Sequence, residues 1–85
     1  MSKIVLGKNL KTVVIVNPLA GNGRTAKIWP NVESALNQSI GSFKSIHTTC
    51  RGDAKHLTRQ ALENGAVRIV AVGGDGHLNE VLNGF

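Results

Sequence analysis

The sequence predicts the α/β class: a three-layer fold on a parallel sheet, in the order βαβαβα. Three observations predict it. Apolar, β-branched runs stand at Thr12–Val16 and Val67–Val72, with a more polar alternating run, Ser42–Thr49, between them. Amphipathic stretches separate these runs. Turn residues, mostly glycine, follow where the runs end. Strands that alternate with helices imply right-handed crossovers, so every strand C-terminus lies at one edge. Open α/β sheets bind their ligands at that edge.

Each element has its own signal. "TVVIV" is a buried-strand run that stops at Asn17-Pro18, a turn signal. In "GNGRTAKIWPNVESALNQ", Ile28, Val32 and Leu36 recur at helical spacing, widened by Trp29 and Ala35. Pro30 should kink that helix or open its second part. "SFKSIHTT" alternates as a second strand. In "GDAKHLTRQALENG", Asp53 is placed to cap the N-terminus and Gly65 to take the left-handed position after the last turn. "VRIVAV" reads as a third buried strand, and Leu78, Val81, Leu82 and Phe85 mark a third helix. Strand order 2-1-3 is expected. Trp29 and Phe43 belong in the core. Residues Met1 to Lys11 form a polar lead-in with a short apolar patch, Ile4-Val5-Leu6.

A chain of 85 residues is one small domain with a marginal core. Its net charge of +5 favours phosphorylated or other polyanionic partners. The basic residues are scattered and aromatic residues are few, so no stacking platform for single-stranded nucleic acid is supplied, and no nucleic acid is expected as partner. The lone Cys50 excludes an internal disulfide and fits a reducing cytosol. Neither a signal peptide nor a spanning helix is read, so a cytoplasmic location is expected.

Two glycine-rich stretches carry the chemistry. In "NPLAGNGRTA", Gly21 and Gly23 allow backbone N–H groups to turn toward a ligand, and the following helix should present unpaired donors to a phosphate. An ordinary strand-to-helix turn explains the same glycines equally well. A P-loop is excluded because Arg24 stands where its lysine belongs, and the G-x-G-x-x-A match lacks an acid at the end of the second strand. In "VGGDGHLNEVLNGF", Gly73, Gly74 and Gly76 allow conformations closed to other residues, so an anion can approach the backbone. Asp75 is out of place beside phosphates unless it meets magnesium or accepts a proton from an attacking hydroxyl. The alternative is a simple helix cap. Glu80, one turn on, is placed to reach back over the loop. His77 reads as a polar contact rather than a catalyst. No resident metal site is assigned to His47 or His56.

"VNPLAGNGR", "TTCRGDA" and "VGGDGHLNEVLNGF" together resemble the N-terminal part of the diacylglycerol kinase catalytic domain. That family includes bacterial lipid kinases and sphingosine kinases, with more distant likeness to NAD kinases and phosphofructokinases. The resemblance covers about Lys11 to Phe85. It implies the Rossmann-like, ATP-binding half of a lipid kinase that phosphorylates a lipid hydroxyl with ATP and Mg²⁺. By the same resemblance, Asn17, Gly21, Gly23 and Thr49 would meet the nucleotide. Gly73, Gly74 and Gly76 would hold phosphates, Glu80 would face the nucleoside, and Asp75 would be the acid at the transferred phosphoryl group. His77 departs from the threonine that many members carry after G-G-D-G. The family's second, mostly β domain, which forms the lipid pocket, has no counterpart in these residues. The whole chain, 1–85, therefore reads as a partial catalytic domain, a fragment or truncated gene product, inactive alone. ATP and a lipid acceptor are the expected partners, with peripheral membrane contact and self-association compatible with the reading. Two rival functions remain: a non-catalytic nucleotide-binding or regulatory module, and a basic nucleic-acid-binding domain using G-x-x-G as a backbone clamp.

Overall fold

The computed structural model describes residues 11–85. The Ile4-Val5-Leu6 patch lies outside them. Among the described residues, strands β1 (Thr12–Val16), β2 (Lys44–His47) and β3 (Arg68–Val72) alternate with helices α1 (Arg24–Ile40), α2 (Asp53–Glu63) and α3 (Asp75–Asn83). The sheet is parallel in the order β2-β1-β3. Val16, at the end of the central strand, pairs with His47 on one side and Val72 on the other.

The pleat of β1 divides the core. Val14 and Val16 face Trp29, Val32, Leu36 and Phe43 on the α1 side. Val13 and Ile15 face Ala54, Ala61 and Val81 on the α2/α3 side. Val14, Ile15 and Val16 are fully buried, and each contributes about 1.5–3 kcal/mol of apolar transfer free energy. Packing on both faces is why β1 is apolar throughout. Trp29 and Phe43 take the core positions expected of them.

Three local expectations are corrected, and the one on Pro30 is narrowed. The inward stripe of α1 runs through buried Thr25 and Trp29 and half-buried Val32 and Leu36, whereas Ile28 and Ala35 are exposed. The stripe is rotated because Trp29, the largest apolar side chain, takes the centre of the contact. Pro30 lies inside one continuous helix of 17 residues and opens no second one. It is exposed, so its missing N–H leaves the Ala26 carbonyl to solvent. Strand β2 is shorter than read, although Thr48 N–H still donates to the Val16 carbonyl at 2.8 Å. Strand β3 is half-buried rather than buried, because it forms an edge of the described sheet. Gly65 takes its expected left-handed conformation, with φ of 96°.

Candidate functional site

The three helices begin at the sheet edge where the strands end. A cleft of about 380 Å³ opens there, a size ordinary for small-ligand sites. It is bounded by Asn17 and Leu19 after β1, by Thr48 to Arg51 after β2, and by Gly76, His77 and Glu80 of α3.

The β1–α1 loop is built on Asn17. Its backbone N–H donates to the Val72 carbonyl at 2.9 Å, and its side-chain Oδ1 accepts from Leu19 N–H at 3.1 Å. The side-chain NH₂ remains for a ligand. Gly21, Asn22 and Gly23 follow with φ of 65°, 58° and 88°. Three successive left-handed residues fold the loop back on the helix start. The N–H groups of Arg24, Thr25, Ala26 and Lys27 then donate to the carbonyls of Gly21, Ala20, Pro18 and Gly23. The expected phosphate donors of α1 are consumed by its own loop. Gly21 and Gly23 serve its backbone conformation and do not line the cleft.

The β3–α3 turn is the opposite case. Only Gly73 and Gly74 separate strand from helix. The first N–H of α3 to find a partner is that of Leu78, which donates to the Gly74 carbonyl at 3.0 Å. The N–H groups of Asp75, Gly76 and His77 have no acceptor among the described residues. They form an anion-receptive start to the helix, reinforced by its dipole.

The glycines of this turn do not adopt conformations closed to other residues. Gly74 has φ of −92°, and neither Gly73 nor Gly76 has a positive φ. What requires glycine at 73 is contact: a Cβ there would lie 2.7 Å from the His77 ring. A Cβ at 74 or 76 would meet open space. Asp75 is exposed, and it is the first residue of α3 rather than the residue that precedes the helix; that place belongs to Gly74, which has no side chain to cap with.

The β2–α2 loop is tied at both ends. Asp53 does not cap α2. Its Oδ2 reaches back to accept from the N–H and hydroxyl of Thr49, at 2.8 and 3.1 Å. Gly52, left-handed at φ of 88°, precedes α2 and donates its N–H to Glu80 Oε1 at 3.1 Å. Glu80 therefore spans from α3 to the neighbouring loop and does not fold back over its own. His77 is buried, with Nε2 2.8 Å from the Ile15 carbonyl, which assigns a proton to Nε2. This is the polar contact its sequence position suggested. His47 packs edge-on against Trp29, ring centroids 5.6 Å apart.

Of the residues read as site residues, Asn17, Thr49, Gly76 and Glu80 meet in the cleft. Gly73, Gly74 and Asp75 form the turn that leads into it, and Gly21 and Gly23 stand outside. The reading missed Leu19, Arg51 and the Gly52–Glu80 bridge. The signal was available: any residue between β2 and α2 lies at the ligand-binding edge. Among the described residues no cluster of three metal-ligating side chains occurs. A single exposed carboxylate such as Asp75 would suit Mg²⁺ only together with the phosphate oxygens of a bound nucleotide.

The family model for the diacylglycerol kinase catalytic domain matches residues 11–85. The chain is 40% identical over 77 residues to a sphingoid long-chain bases kinase of Arabidopsis thaliana, covering 88% of this chain and 10% of that protein. It is 40% identical over 72 residues to a diacylglycerol kinase of Bacillus subtilis, covering 85% and 24%. A solved structure assigned as a diacylglycerol kinase from Bacillus anthracis superposes with a TM-score of 0.78 at 29% identity, covering 89% of this chain and 27% of that one. The chain thus spans a quarter or less of these curated relatives.

Proposed function

The chain belongs to the diacylglycerol kinase catalytic domain family, and from that premise we propose that it forms the nucleotide-binding half of a lipid kinase. ATP, carried with Mg²⁺, is the phosphoryl donor, and a lipid hydroxyl is the acceptor. One observation carries the reading. The start of α3 offers unpaired N–H groups beside an exposed carboxylate, whereas the start of α1 is closed.

In this reading the N–H groups of Asp75 and Gly76 hold phosphate oxygens. Asn17 and Thr49 contact the nucleotide from the other two loops. Arg51 supplies a positive charge across the cleft. Glu80 holds the β2–α2 loop in place through Gly52 and keeps its second carboxylate oxygen for the nucleoside side. Asp75 accepts the proton of the acceptor hydroxyl or positions the magnesium carried by the nucleotide. Phosphoryl transfer needs positioning and charge stabilisation more than covalent chemistry, and these groups supply both. Selectivity among lipids belongs to the family's acceptor domain.

The test is Asp75→Asn in the enzyme that carries this segment, which keeps shape and removes charge. Turnover in a lipid phosphorylation assay should fall about 10²-fold or more, the loss expected for a general base. Calorimetric affinity for ATP should change far less. Near-normal turnover would remove Asp75 from the chemistry.

A further inference from the structure

His77 is the group in the cleft wall that the proposed transfer leaves without a task. It is the third residue of α3, yet its side chain turns inward and is buried. Its Nε2 lies 2.8 Å from the carbonyl of Ile15. Ile15 is fully buried in the central strand, paired with Ile46 on one side and Ala71 on the other. The imidazole therefore connects the first turn of α3 to the central, buried strand of the described sheet. The same ring closes on Gly73: a Cβ at 73 would lie 2.7, 2.8 and 2.9 Å from His77 Cδ2, Cγ and Cβ. One side chain thus grips the phosphate-facing turn from both ends, at Gly73 and at position 77.

The geometry points to His77 as the positioning residue of the turn Gly73–Gly76, fixing the direction of the Asp75 and Gly76 N–H groups and of the Asp75 carboxylate. It touches no reacting atom and acts through the backbone it anchors. The inference rests on the proposal that this turn meets nucleotide phosphates. A contact to a carbonyl needs a donor at the reach of Nε2. Glutamine carries such a donor, and alanine carries none. A misplacement of the turn by a fraction of an ångström is enough to lose aligned phosphate contacts.

The test uses the chain itself and two variants. In the wild type, ¹⁵N shifts of the His77 ring should show a proton held on Nε2. Titration with Mg·ATP, read from the Thr49 and Gly76 amide signals, should show binding at the cleft. His77→Ala should weaken that binding by about tenfold or more, and His77→Gln should regain most of it. A ring found as the Nδ1–H tautomer would overturn the anchoring contact, whatever the variants do. Equal affinity of His77→Ala and wild type, or a glutamine variant no better than alanine, would leave His77 a packing residue only. Absence of any Mg·ATP response in the wild type would overturn the nucleotide reading and this positioning role with it, a failure marked by an intact Nε2–H signature.

Discussion

Gly74 and Gly73 are neighbours of the same type, held as glycine for different reasons. At Gly73 the space for a Cβ is filled by His77, so a side chain displaces the first turn of α3. At Gly74 the backbone is extended and the space is open, so a side chain costs the fold little. It would stand where phosphate oxygens are proposed to lie. Gly74→Val should therefore abolish calorimetric ATP binding while circular dichroism remains that of the wild type. Unchanged affinity would place the nucleotide elsewhere. The sequence marks the turn as special but assigns all of its glycines to unusual backbone angles. Steric demand at Gly73 depends on how closely residue 77, four positions later, folds back against it, which no local pattern reveals. The left-handed run Gly21–Gly23 was legible as a turn, but its consequence was not. Which carbonyls reach the start of α1 is decided by the path of the whole loop.

Helix count, strand count and parallel pairing are legible at the level of elements, because they follow from apolar runs and their alternation; the expected order 2-1-3 is the observed one, but alternation alone does not fix it. The rotation of α1 and the half-exposure of β3 are not legible, because they depend on neighbours distant in sequence. Helices α2 and α3 show the same dependence. Gly84, just after α3, lies so close to α2 that a Cβ there would sit 2.6 Å from the Lys55 carbonyl and 2.7 Å from Thr58 Cβ. That approach seals Thr58 completely, and its hydroxyl has no hydrogen-bond partner among the described residues. A buried hydroxyl without a partner is destabilising relative to an isosteric methyl group. Thr58→Val should raise stability by about 1 kcal/mol. The check is urea unfolding, with a higher midpoint and an unchanged slope. A lower midpoint would mean that the hydroxyl is satisfied in solution.

As a whole, the described residues bound one open cleft at the edge of the sheet. That cleft carries polar loop groups with Leu19, a poor match for an acyl chain. The relatives that bear kinase names are at least about four times longer than the stretch matched here. No helix among the described residues is long and apolar enough to cross a membrane. Leu78, Leu82 and Phe85 are 49%, 60% and 67% exposed, and Val67, beside β3, is 63% exposed. Phosphoryl transfer requires donor and acceptor held in line and shielded from water, and in the proposed reading these residues hold the donor alone. These 85 residues alone should therefore bind nucleotide but phosphorylate no lipid. The measurement is incubation of the purified chain with labelled ATP, magnesium and a panel of diacylglycerols and sphingoid bases, against a Gly74→Val control. Sedimentation at the assay concentration would be followed in parallel. Turnover above that control would show that a complete site assembles from these residues. If it rose with the square of protein concentration as the dimer formed, the rest of the site would be supplied by another copy of the chain. If it rose linearly, a single copy would suffice and the half-enzyme reading would be wrong.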